Sequence, residues 1–197
     1  YGGKTTLAKR IAATLPDHRH YVEPFAGSLA VMLAKAPAPF ETVNDLDEHL
    51  VTFWRVLRDQ PEDLARVCAL TPHSRSEYGL CREGFADADA TELERARRVW
   101  VALTQGRGGT LRVTGWRHFQ DPGSRGPASM PDYLSSYVDR MRAAAGRLAN
   151  VSLECRPALD VITDYGKHGE VLIYADPPYL GTTRSSRQYL VEMSHEE

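Results

Sequence analysis

The chain has 197 residues, 42 % of them hydrophobic and 25 % charged, with a formal net charge of −2 at pH 7. This is globular composition, long enough for one sizeable core with a smaller subdomain, and it excludes a protein that is basic overall, so any nucleic-acid surface has to be a local patch. Three scattered cysteines (Cys68, Cys81, Cys155) without a CxxC pair, and seven histidines without metal-ligand spacing, exclude a disulfide framework and a zinc site, and no apolar run reaches transmembrane length.

Taken in order, the chain opens on Gly2-Gly3-Lys4-Thr5-Thr6 and then a helix in which Leu7, Ala8, Ile11, Ala12 and Leu15 share one face, ended by Pro16. Gly-Lys-Thr before a helix is also the tail of a phosphate loop, so this stretch carries two readings. His20 to Glu23 reads as a strand and Pro24-Phe25-Ala26-Gly27-Ser28 as a strand-to-helix turn. A glycine in such a turn lets a ligand approach the backbone. Leu29 to Ala36 is a compact apolar helix, and Glu41 to Val43 a second strand closing on Asn44-Asp45. An acid at the end of the second strand is where Rossmann-like folds hold ribose hydroxyls.

Helices are predicted from Asp47 to Asp59, from Pro61 to about Leu70, with interruption from Pro72 to Phe85, and from a Thr91-Glu92-Leu93-Glu94 capping box to about Gln105. Leu50, Phe53, Trp54 and Leu57 form a core stripe on the first of these. Between Gln105 and Met130 glycines break regular structure, and Arg107, Arg112, Arg117 and Arg125 interleave with Trp116 and His118 against a single acid, Asp121. Basic side chains in a long loop suit phosphates and base edges; the bland reading is a solvated surface loop. Pro131 to Ala149 is a long helix with a basic face (Arg140, Arg142, Arg147).

A third strand is predicted from Val151 to Cys155 and a short helix from Pro157 to Tyr165. Glu170 to Ala175 is an apolar run with the pattern of a strand buried on both faces of a parallel sheet. It stops at Asp176-Pro177-Pro178-Tyr179, because two prolines cannot continue a central strand. Asp176 and the Pro177 carbonyl can together accept both hydrogens of an exocyclic amine, and Tyr179 offers a stacking face. Holding both N–H bonds restores lone-pair character to an aromatic amine and supports the charge that develops during attack. The polar, basic tail from Thr182 to Arg187 reads as a strand or lid beside the site.

These segments resemble, in order, the Dam-type DNA adenine-N6 methyltransferases of phage and restriction systems. Gly2-Gly3-Lys4, Glu23 to Ser28 and Asn44-Asp45 are similar to that family's cofactor motifs, and Asp176-Pro177-Pro178-Tyr179 to its catalytic motif. The family pattern has a second glycine two residues after Gly27, where this chain has Leu29. The resemblance implies a Rossmann-like α/β sheet with S-adenosylmethionine as methyl donor and no metal. It implies cofactor residues Tyr1, Lys4, Phe25, Gly27, Asp45 and Asp176, and a catalytic set of Asp176, Pro177, Pro178 and Tyr179. The target adenine of double-stranded DNA would be flipped out of the duplex, with Arg107, Arg112, Arg117 and Arg125 contacting DNA. Residues 1–59 would carry the cofactor motifs, 60–149 a helical and loop target-recognition insert, and 150–197 the catalytic part, with the chain cut at both ends. A cytoplasmic setting, no membrane and a cognate restriction nuclease go with the same resemblance. The residues leave three alternatives open: an N4-cytosine methyltransferase, a P-loop ATPase, and an inactive DNA-binding relative.

Overall fold

The computed structural model describes residues 5–119 and 129–177. Along these the elements run α1 (Thr5–Ala12), β1 (His20–Glu23), α2 (Ala30–Ala34), β2 (Phe40–Asn44), α3 (Glu48–Asp59), α4 (Pro61–Leu70), α5 (Arg75–Glu83), α6 (Glu92–Gln105), α7 (Met130–Leu148), β3 (Ser152–Glu154), α8 (Ala158–Tyr165) and β4 (Val171–Ile173). A single 3-10 turn, Gly84–Ala86, follows α5. The chain divides into two compact units with a boundary inside α3, between Val51 and Thr52, and a second at Ala149.

The first unit, up to Val51 and again from Asn150, holds a four-stranded sheet in the order β3-β2-β1-β4. All three pairings are parallel, with His20 level with Phe40 and with Val171, and Thr42 level with Ser152. This is the expected Rossmann-like α/β sheet. Short β-branched and aromatic strands make it: Tyr21 and Val22 are fully buried and Val43 nearly so. The chain goes from β1 to β2 on one side, then returns from β3 to β4 on the other side of β1. The crossover direction therefore reverses between β1 and β4, the position where open parallel sheets bind ligands beyond their carboxyl ends.

Three local expectations are corrected. The β4 run is shorter than Glu170–Ala175 and only half-buried, since β1 alone pairs with it among the described residues and Glu170 leaves the strand conformation at φ 60°. The helix expected from Leu29 is five residues long and starts at Ala30. Leu29 itself is left-handed at φ 56°, ψ 22°, so it belongs to the turn although its side chain is fully buried. On α1, Ala8 is buried but Leu7 is 46 % exposed, so the apolar face of that helix is only partly used.

The second unit, Thr52–Ala149, is helical. Helix α4 packs against α6 and α7, and α5 against α6. Leu64 and Cys68 of α4 and Val99, Trp100 and Ala102 of α6 are buried in it, with Leu134, Met141 and Leu148 of α7. Pro61 occupies the first turn of α4, where its missing N–H costs nothing. Half of the expected capping box forms. The Thr91 hydroxyl accepts from the Glu94 N–H at 3.2 Å, but the Glu94 carboxylate pairs with Arg97 and Arg98 of its own helix instead of reaching back.

The segment after α6 is pinned, in contrast to a solvated loop. Gly106 bridges Trp116 in antiparallel fashion; the Arg107 N–H donates to the Gly115 carbonyl and the Arg117 N–H to the Gln105 carbonyl. Gly108 and Gly109 turn the chain with φ of 82° and 57°, a conformation that favours glycine. Buried Gln105, the Tyr78 hydroxyl (2.8 Å to the Thr114 carbonyl) and His73 (Nε2 2.8 Å from the Arg117 carbonyl) hold the excursion, and Leu111 is fully buried beneath it. No helix among the described residues is long and apolar enough to cross a membrane.

Candidate active site at the switch point

Two turns leave the sheet side by side at the carboxyl ends of β1 and β4. The Tyr174 N–H donates to the Val22 carbonyl at 2.8 Å, so the β4–β1 pairing continues one residue beyond Ile173. Half-buried Asp176 and exposed Pro177 follow directly. On the β1 side come Pro24, Phe25, Ala26 and Gly27.

The β1 turn is held by the dipeptide that ends β2. The Asn44 side-chain amide donates to the Pro24 carbonyl and to the Arg156 carbonyl, both at 2.9 Å, and its Oδ1 accepts from the Arg156 N–H at 3.0 Å. The Asn44 backbone carbonyl accepts from the Ala26 N–H at 2.8 Å. Asp45 completes the grip: Oδ2 accepts from the Gly27 N–H at 2.8 Å and Oδ1 from the Asp47 N–H at 2.9 Å. Phe25 is thus flanked on both sides by fixed backbone. Gly27 has φ 47°, and a Cβ added there would meet no atom of the described residues within 4 Å, so among these one side of the turn is open to an approaching group. Burial, the largest influence, raises the Asp45 carboxyl, and the backbone donors Asp47, Gly27 and Leu46 oppose that.

A buried acid stands behind this turn. Glu23, the last residue of β1, is 3 % exposed. Tyr21 lies two residues earlier on the same face of the strand and donates its hydroxyl to Glu23 Oε2 at 2.8 Å. Burial pushes the Glu23 carboxyl up to about 8, the Tyr21 and Met32 donors pull it down, and the like charge of Asp176 pushes it up again. The Lys35 ammonium lies 4.6 Å from the Tyr21 ring centroid and 2.5 Å from Glu41 Oε1, both its side chain and that of Glu41 being buried. The Asp176 charge thus reaches Glu23 across the ends of the adjacent strands β1 and β4.

The fold accordingly gathers Phe25, Gly27, Asp45, Asp176 and Pro177 at one sheet edge. Tyr1, Lys4, Pro178, Tyr179 and Arg125 lie outside the described residues, as do the tail from Thr182 and residues 2–4 of the phosphate-loop reading. Arg107, Arg112 and Arg117 lie in the helical unit, Arg107 exposed and the other two half-buried. Two residues of this edge carry no role in the sequence reading. Glu23 is signalled by an acid two residues after Tyr21 in an otherwise apolar strand. Asn44 has no local signal, because its partner Arg156 is 112 residues away.

The chain is 28 % identical over 195 residues to the Type II methyltransferase M1.LlaDCHI of Lactococcus lactis subsp. cremoris, covering 94 % of this chain and 66 % of that relative. It is 26 % identical over 185 residues to the Retron Ec67 DNA adenine methylase of Escherichia coli, covering 92 % of this chain and 62 % of the relative. The chain thus spans just under two thirds of the length of these curated relatives. The profile of the D12 class N6 adenine-specific DNA methyltransferases matches residues 1–197, and the chain belongs to that family.

Proposed function

We propose that the protein containing this chain transfers a methyl group from S-adenosylmethionine to N6 of an adenine flipped out of double-stranded DNA. The observation that carries the reading is the pairing of two turns at the β1/β4 switch point, one gripped by Asn44 and Asp45, the other bearing Asp176 and Pro177. Family membership and the relatives' names, a Type II methyltransferase and a DNA adenine methylase, support it.

The residues suit the cofactor. The Asp45 carboxylate takes backbone N–H groups from Gly27, Leu46 and Asp47 and keeps one lone pair with which to accept a ribose hydroxyl. The open side of Gly27 admits a group against the backbone, and Phe25 supplies an apolar ring. Tyr1 and Lys4 belong to the same proposed set. Bound there, S-adenosylmethionine supplies an electrophilic methyl carbon on a sulfonium.

Asp176 and the Pro177 carbonyl accept the two N–H bonds of the adenine amine. That keeps the nitrogen lone pair out of ring conjugation and directs it at the methyl, while Tyr179 stacks on the base. Pro178 fixes the turn. Arg107, Arg112, Arg117 and Arg125 serve the DNA. The test is Asp176→Ala in the intact protein, followed by transfer of labelled methyl groups to duplex DNA. Transfer is expected to fall at least a hundredfold, since one of the two amine acceptors is gone. Undiminished turnover would refute the role of Asp176.

A further inference from the structure

One run of side chains in the helical unit starts at Arg117 and continues through three residues that carry none of the roles above. Tyr133 and Tyr137 stand four residues apart on α7, their rings edge to face at 5.0 Å between centroids, with the Tyr133 hydroxyl donating to that of Tyr137 at 3.2 Å. The Arg117 guanidinium, from the pinned excursion after α6, lies 5.1 Å from the Tyr133 ring centroid and also hydrogen-bonds the Tyr133 hydroxyl. At the other end the Arg140 guanidinium lies 4.5 Å from the Tyr137 centroid, while its Nε donates to the Ser136 carbonyl at 2.7 Å. The order is Arg117, Tyr133, Tyr137, Arg140, and from Tyr133 to Arg140 it runs about 10 Å along the helix.

We propose that this Arg-Tyr-Tyr-Arg ladder is a contact surface for the phosphate backbone of duplex DNA, and that Arg140 and Tyr137 belong to the DNA surface alongside the loop arginines. The inference rests on the DNA reading given above. Three features favour phosphate as the partner. Arg140 uses Nε on its own helix, and no described acid pairs with it, so the two terminal nitrogens present a planar fork that suits a phosphate. Tyr137 receives a hydrogen from Tyr133 and keeps its own hydroxyl hydrogen for an acceptor beyond the ladder. The surroundings are cationic although the whole chain carries −2: residues 105–119 contain Arg107, Arg112 and Arg117 and no acid. The acids on α7 are Asp132, bound to the Ser129 hydroxyl at the helix start, and Asp139. The rings hold both guanidinium groups in place, so less side-chain freedom is lost on binding.

The test is duplex binding by the intact protein across a series of salt concentrations, measured by fluorescence anisotropy. Arg140→Ala is expected to lower affinity several-fold and to reduce the slope of log K against log salt by about 0.9, the loss of one phosphate contact. Tyr137→Leu is expected to weaken binding in the parent protein and to cost less in the Arg140→Ala background, because part of the ring's effect comes through the guanidinium it supports. Arg142→Ala is the charge-matched control on the same helix, since Arg142 faces Glu62 at 3.6 Å; its slope change should be less than half that of Arg140→Ala. Equal slope changes for the two arginines, or none for Arg140→Ala, would overturn the ladder while leaving the DNA reading intact. Failure of the parent protein to bind duplex at all would overturn both.

Discussion

Replacing Asn44 by alanine should reveal how firmly the cofactor turn is tied to the sheet. The side chain makes three hydrogen bonds, to the carbonyls of Pro24 and Arg156 and from the Arg156 N–H. Asn44 is 1 % exposed, so water cannot replace these partners without opening the strand ends. At a net value of about 1 kcal/mol for each of the three bonds, the loss is about 3 kcal/mol. For a chain of this length that corresponds to a fall in Tm of roughly 6–12 °C. Asn44→Asp should be at least as damaging, because a carboxylate keeps the acceptor for the Arg156 N–H but sets its second oxygen against two carbonyls. S-adenosylmethionine affinity should fall as well, since Pro24 frames the Phe25 turn. The assays are thermal and urea denaturation with titration of the cofactor. A Tm change below about 2 °C for Asn44→Ala would refute the reasoning, because it would mean that the strand ends hold their positions without the amide.

Two further outcomes follow from local geometry. At Leu29 alanine should be worse than glycine, reversing the usual order: both lose the buried side chain, but only glycine relieves the left-handed backbone, a difference of about 1 kcal/mol read by urea denaturation; equal stabilities would show that the backbone relaxes instead. At Glu23 the folded carboxyl lies near 8 against an ordinary value of 4.5, so the folded state holds a proton that the unfolded state has released, and stability falls as pH rises through that window. The stability gained by Glu23→Gln should therefore grow between about pH 5 and pH 8, measured by denaturation at each pH; a gain independent of pH would contradict a raised Glu23.

The sheet was legible because three strands carry β-branched or aromatic residues and stop at marked positions: β1 before Pro24, β2 before Asp45 and β4 shortly before Asp176. Proline and glycine spacing marked the turns for the same reason, as few residues satisfy their backbone angles. What stayed hidden is non-local or conformational. The Asn44–Arg156 pairing joins residues separated by the whole helical unit. The left-handed Leu29 has a side chain that promises helix and a backbone that refuses it. The ladder on α7 depends on an arginine from a loop without period, so helical spacing could show the two tyrosines but not their cation. The sequence offered the loop arginines as DNA contacts but could not show that Tyr78, His73 and the Gln105 carbonyl hold their segment in place.

The most direct measurement of the central claim is modified-base sequencing of duplex DNA after incubation with the intact protein and S-adenosylmethionine, beside the Asp176→Ala variant. The account predicts N6-methyladenine at a defined sequence with the parent protein and none with the variant. Methylation confined to cytosine N4, or N6-methyladenine at full level with Asp176→Ala, would contradict it.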